Sequence, residues 1–189
     1  PSVKNGDILS FEGNFINLGV IYVNAAIKLT GSNPTFTNTT FRLSDGVWIE
    51  NFTIKNKNSE RINAWGILVY NTCGAKILNC TIDVTDPNAA YAIYVVESSD
   101  VDVINNTLTS SGNYLTYTLL AISVEDCNFI NNTIYTVGTG IEHGFESNHC
   151  VDGNSTCVDG NTNCADGNTV CTDGSCVDGS SCVGGDSVC

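Results

Sequence analysis

The chain has 189 residues, ten Cys, no Met and a formal net charge of −13. That acidity excludes neutralising a nucleic-acid backbone, and no uncharged apolar run approaches the ~18–20 residues that cross a bilayer. A chain without Met that opens at Pro1 reads as a processed product or a fragment, and its dense, even Cys complement points to an oxidising, extracellular setting.

Taken in chain order, PSVKNGDILSFEGNFI (1–16) reads as strands, with no amphipathic capping helix. VNAAIKL (23–29) then precedes four segments that lie on one another: VWIENFTI (47–54), AKILNCTI (75–82), VDVINNTL (101–108) and CNFINNTI (127–134). Their asparagines, Asn51, Asn79, Asn105 and Asn131, are spaced 28, 26 and 26 residues apart. A period near 26 is too short for a βαβ unit and long enough for one coil of three short strands.

The columns of this alignment have physical content. Ile49, Ile77, Val103 and Phe129 stand before the Asn, and Ile54, Ile82, Leu108 and Ile134 after it, alternating with polar residues as half-buried strands do. The alternation breaks phase at the Asn, a residue that tolerates the left-handed backbone of a sharp bend. Stacked once per coil, Asn51, Asn79, Asn105 and Asn131 are expected to form a buried hydrogen-bonded ladder. The Thr column at 53, 81, 107 and 133 suits extended strand. A second strand set is expected at GILVY (66–70), AIYVV (92–96), AISVE (121–125) and GIEH (140–143), with polar loops at 55–63, 83–90 and 109–118.

Through VDVINNTLTSSG and CNFINNTIYTVGTG, preceded by AIYVVESS and AISVED, residues 5–143 resemble the right-handed parallel β-helix repeats of adhesin-like surface proteins, the type abundant in methanogenic archaea. The resemblance implies an all-β, right-handed parallel β-helix over 1–145. That fold is shared with pectate-lyase-like enzymes, so it says little about function.

Residues 146–189 form a second region. Cys150, Cys157, Cys164, Cys171, Cys176, Cys182 and Cys189 recur at spacings of 7, 7, 7, 5, 6 and 7, with Asp-Gly turn chemistry in five of the units. The expected form is a narrow, two-sided β-solenoid with Cys inward and disulfides in place of a core. Seven cysteines cannot all pair among themselves, so one reaches Cys73, Cys80, Cys127 or another molecule. A local Cys73–Cys80 closure and a Cys127–Cys150 bridge are both open, and sequence leaves the connectivity undecided.

Signs of chemistry are sparse. The two arginines, Arg42 and Arg61, lie near the N-terminal coils, away from Asp100, Asp102, Glu125 and Asp126, and Asp45 stands alone. No catalytic residue is assigned. His143, His149, Glu142, Glu146 and Cys150 match no zinc spacing, so no metal ligand or cofactor is assigned. One Asp per heptad is too few for a full calcium repeat, leaving calcium bridging between coils or subunits as the open alternative. Trp48, Trp65, Tyr70, Tyr91, Tyr94, Tyr114 and Tyr117 are candidates for stacking on a glycan, against the commoner role of packing loops onto the coil.

Residues 1–76 carry seven bases and five acids, whereas residues 77–189 carry fifteen acids and no base. A basic head, an acidic tail and unprotected strand edges favour head-to-tail homopolymers. The expected function is a cell-surface structural subunit of a sheath, fibre or surface layer. A glycan-binding adhesin domain comes second and a polysaccharide-degrading enzyme third. Sequons occur at Asn38, Asn51, Asn79, Asn105, Asn131 and Asn154. If the Asn column is buried, Asn38 and Asn154 are the glycosylation candidates.

Overall fold

The computed structural model describes residues 2–57 and 64–147, followed by the strand segments 152–157, 164–165 and 170–171. In chain order the strands are β1 (Ile8–Phe11), β2 (Asn14–Val23), β3 (Lys28–Gly31), β4 (Thr35–Leu43), β5 (Trp48–Glu50), β6 (Thr53–Lys57), β7 (Ala64–Tyr70), β8 (Lys76–Leu78) and β9 (Thr81–Asp86). They continue as β10 (Ala89–Ser99), β11 (Asp102–Ile104), β12 (Thr107–Gly112), β13 (Leu115–Glu125), β14 (Asn128–Gly138), β15 (Ile141–Ser147), β16 (Asp152–Cys157), β17 (Cys164–Ala165) and β18 (Val170–Cys171). Among the described residues every pairing is parallel and joins one coil to the next, a β-solenoid of about 4 turns with a period of about 26 residues. No helix occurs among the described residues.

Three faces make up each coil. On the first, Ile49, Ile77, Val103 and Phe129 stack in register. On the second, Ile54, Ile82, Leu108 and Ile134 do the same. On the third, Ile67, Ile93, Leu119 and Phe145 complete the interior. All twelve side chains are fully buried, each contributing about 1.5–3 kcal/mol by leaving water. The columns read from the four aligned segments are therefore core columns.

The N-terminal coils are tighter. Ile8, Lys28 and Trp48 stack at intervals of 20 residues, and of the segment 23–29 only Ile-Lys-Leu enters the first-face column. A smaller coil must still be filled, and Phe11, Phe15, Phe36, Phe41 and Phe52 fill it, with ring centroids 4.7–5.8 Å apart.

Two expectations are corrected. AISVE (121–125) and GIEH (140–143) are out of the expected register with AIYVV: Leu119 lies over Ile93 and Ala121 over Val95, while Ile141 lies over Leu115. The third face is carried by 118–122 and 144–147, where the pattern was obscured because the outward side of this face is also apolar. The expected polar loops also contract. Residues 83–86, 89–90, 109–112 and 115–118 are strand, and they look like loop because Asp86, Ser110, Thr116 and Thr118 point polar side chains into the interior.

Across the expected boundary at 145/146 the coil continues. β15 runs through it, β16 pairs with β14, β17 with β15, and β18 with β16. The intervals shorten from 24 residues (Asn128 to Asp152) to 14 (Cys157 to Cys171).

Candidate functional site

Bends between the faces are built from left-handed residues. Asn51, Asn79, Asn105 and Asn131 have φ of 61°, 52°, 57° and 54°, and the N–H groups of the first three donate to Leu78, Ile104 and Ile130 carbonyls one coil on. Asn is the side chain that pays least for this backbone. A second corner stacks Gly46, Gly74, Asp100 and Asp126, and a third stacks Asn71, Glu97 and Ser123, all at positive φ.

The buried ladder lies one residue later than expected. Asn79, Asn105 and Asn131 are exposed and Asn51 is half-buried, whereas the next residues, Phe52, Cys80, Asn106 and Asn132, point inward. Asn106 donates from its N–H and its Nδ2 to Oδ1 of Asn132, each at 3.0 Å. Its Oδ1 accepts the Cys80 N–H at 2.8 Å. Nδ2 of Asn106 and Nδ2 of Asn132 also donate to the carbonyls of Ile77 (2.9 Å) and Val103 (2.7 Å). The doublets Asn105-Asn106 and Asn131-Asn132 carried the signal: the first Asn makes the bend and the second makes the ladder. The exposure of Asn79, Asn105 and Asn131 also removes burial as a reason for their sequons to stay unmodified.

Asn38 is exposed at φ 50°, and its Nδ2, the atom a glycan would occupy, donates to Asn17 Oδ1 at 2.9 Å. Asn154 pairs with Ile130 through the backbone, and its side chain lies outside the described residues.

The body cysteines divide. Cys73, half-buried at the corner before β8, is disulfide-bonded. Cys80 and Cys127 are free, buried thiols, which removes both the Cys73–Cys80 closure and the Cys127–Cys150 bridge. Both are core residues. Cys80 occupies the column between Phe52 and Asn106, and Cys127 continues that of Val47, Ala75 and Val101. Burial pushes the Cys80 thiol up to about 12 and that of Cys127 to about 11, so neither is a nucleophile. Cys157, Cys164 and Cys171 lie on β16, β17 and β18, with Cys157 paired to Cys171 along the backbone; Cys150, Cys176, Cys182 and Cys189 lie outside the described residues.

On the outer side of the third face, one ring per coil forms a stack. Trp65, Tyr91, Tyr117 and His143 succeed one another at centroid distances of 6.4, 5.8 and 4.7 Å, and Tyr94 lies 5.5 Å from Tyr91. Tyr91 and Tyr117 each lie between two neighbouring rings, so they offer edges rather than a stacking platform, and Trp65 has one face against Tyr91. Burial raises the Tyr91 phenol. Tyr70 and Tyr114 are exposed; Trp48 lies under the Lys28 ammonium at 3.9 Å. Arg42 sits over Tyr22 and Tyr70, on an aromatic surface. Asp102 pairs with Lys76 and accepts from Asn128 Nδ2 at 2.8 Å, and Asp45 accepts the Cys73 N–H at 2.8 Å. Among the described residues no three His, Cys, Asp or Glu side chains converge as metal ligands. The side chains of Glu142, Glu146, His149 and Cys150 lie outside them.

The surface that most resembles a binding site is the first coil. β1 pairs only with β3 and β2 only with β4 among the described residues, so each presents one unpaired backbone edge. Around it Ile8, Ile16, Leu18, Val20 and Tyr22 are exposed, at 67, 61, 49, 49 and 58 % of their full area. An open edge is what the strands of residues 1–16 lead one to expect; the apolar rim is not, because the alternation of Ile16, Leu18 and Val20 is the same as that of a half-buried strand. No protein-family model, curated protein or solved structure matches the chain.

Proposed function

We propose that the protein is an extracellular structural subunit of a cell-surface assembly, a sheath, fibre or surface layer, built by end-to-end stacking of β-solenoids. One observation carries the reading: the unpaired edge of β1 and β2, rimmed by Ile8, Ile16, Leu18, Val20 and Tyr22. An exposed apolar strand edge templates further pairing, and soluble proteins blunt such edges with Lys, Pro or bulges. Here Lys4 is the only cation in residues 1–27 and β2 lacks Pro, while a bulge interrupts the ladder between Ile16 and Gly19. The acidic 77–189 half complements the +2 head and selects head-to-tail over head-to-head contact. Six sequons and ten cysteines support an extracellular location, with tail disulfides stabilising the assembled subunit.

Catalysis has no place in this reading: Arg42 packs on aromatic rings, Asp102 is paired, and Cys80 and Cys127 are buried. Glycan binding is the second reading, resting on the exposed Tyr114 at the turn between β12 and β13. Sedimentation and electron microscopy of the intact chain, with and without reductant, test the first. Concentration-dependent linear polymers are expected, reduced to monomers by Ile16→Lys with Val20→Lys. A chain that stays monomeric at every concentration overturns it, and glycan-array binding lost in Tyr114→Ala would put the adhesin in its place.

A further inference from the structure

We propose that the corner between the second and third faces binds a monovalent cation of sodium or potassium size, held by the Asp86 carboxylate with the hydroxyls of Thr116 and Ser110. Asp86 ends β9 on its inward side and is fully buried. Its Oδ1 accepts the N–H groups of Asn88 and Ala89 at 2.6 and 3.0 Å, but Oδ2 has no hydrogen-bond partner. Ser110 Oγ and Thr116 Oγ1 are also buried and unpartnered.

Register places the three at neighbouring positions of adjacent coils: Ser110 over Val84, Gly112 over Asp86 and Thr116 over Ala90. Asp86 pairs with Gly112 of the next coil, and Ser110 points inward two residues before that glycine. A Cβ at Gly112 would stand 2.5 Å from Thr116 Oγ1 and 3.0 Å from the Asp86 carbonyl oxygen. The Thr116 hydroxyl thus occupies the side-chain space above Asp86 that glycine leaves free. Neighbouring hydroxyls behave differently: Thr118 Oγ1 and Thr136 Oγ1 lie 2.6 Å apart and bond to each other. The orphaned oxygens among the described residues are these three, on β9, β12 and β13; the other two orphaned atoms are the indole nitrogens of Trp48 and Trp65.

A buried carboxylate needs a counter-charge or a proton. Residues 77–189 contain no Lys or Arg, and the described ion pairs, Lys28–Glu50 and Lys76–Asp102, lie on the first face. The donors are all oxygen, the chemistry of hard cations, and one carboxylate among neutral oxygens balances a single positive charge. Calcium, which takes 6–8 oxygens and commonly several carboxylates, is poorly matched. The site is independent of end-to-end assembly.

Thermal unfolding of the intact chain in sodium, potassium and choline chloride at equal ionic strength provides the test. Sodium or potassium is expected to raise the midpoint by several degrees over choline, saturably, and Asp86→Asn to abolish the difference. Should Asp86→Asn fail to fold, Ser110→Ala keeps the carboxylate and is expected to move the response to higher salt. Excess ²³Na relaxation that Thr116→Val reduces is the direct readout. Equal midpoints in all three salts overturn the proposal, as does a cation response that survives in Asp86→Asn. Arg61, in the segment 58–63 that links Lys57 (under Thr85) to Ala64 (under Ala90), is the rival counter-charge. Cation-independent stability that falls equally in Arg61→Ala and Asp86→Asn overturns the proposal in its favour.

Discussion

Asn132 Oδ1 accepts two hydrogen bonds from Asn106, one from the backbone and one from the side chain, each at 3.0 Å and wholly out of water. One amide oxygen thereby satisfies the corner of the coil beneath it. Asn132→Ala strands both donors, and each unmet buried group costs about 1–3 kcal/mol. A loss of about 2–4 kcal/mol in urea unfolding is expected. The adjacent exposed Asn105→Ala loses only its left-handed preference, about 1 kcal/mol.

The raised thiol values predict alkaline instability. Cys80 has a folded value of about 12 against an ordinary 9.0; Cys127 has about 11. Protonated thiols suit the folded state, so this contribution is complete below pH 9 and is lost as pH rises toward the folded values. The unfolded chain releases protons that the folded chain keeps, and stability falls by about 1.4 kcal/mol per pH unit per thiol across that window. Unfolding free energies at pH 8 and 10.5 check it: Cys80→Ala flattens the decline while lowering stability at pH 8. A thiol reagent should leave Cys80 unlabelled until the chain unfolds.

Glu97 has a φ of 49° in the column where the coil beneath places Asn71. An exposed Glu has no local compensation for a left-handed backbone, whereas Asn does. Glu97→Asn is expected to stabilise by about 0.5–1 kcal/mol, read as a higher melting temperature.

Gly66 is a packing requirement. A Cβ there would stand 2.4 Å from Ile82 Cγ2 and 2.6 Å from the Ala92 carbonyl oxygen. The carbonyl belongs to the next coil and cannot move without breaking the ladder. Gly66→Ala is therefore expected to cost about 1–3 kcal/mol or more, measured by urea unfolding.

The fold was legible to the extent that side chains alternate and repeat. A period of 26 and columns such as Ile49–Ile77–Val103–Phe129 can be read because each position sees the same neighbours one coil away. The third face was less legible. Its outer side carries Trp65, Leu68, Tyr91, Tyr94, Tyr117 and Leu120, so in-out alternation vanishes and the register of 118–122 was misplaced.

Sequence alone determined the parallel β-solenoid, its period and its left-handed Asn corners, because these depend on local backbone preference and on repetition. Tertiary structure decided which of two adjacent asparagines faces inward, that Cys80 and Cys127 are core residues, and that the Trp65–Tyr91–Tyr117 rings stack on each other. It also decided that Asp86 is buried with an unpartnered oxygen, and that the Thr116 hydroxyl fills the space at Gly112 of the coil above it. Each of these depends on where the next coil sits. A shift of one residue in that register moves a side chain from solvent to core, and apart from the Asn doublets no local pattern records it.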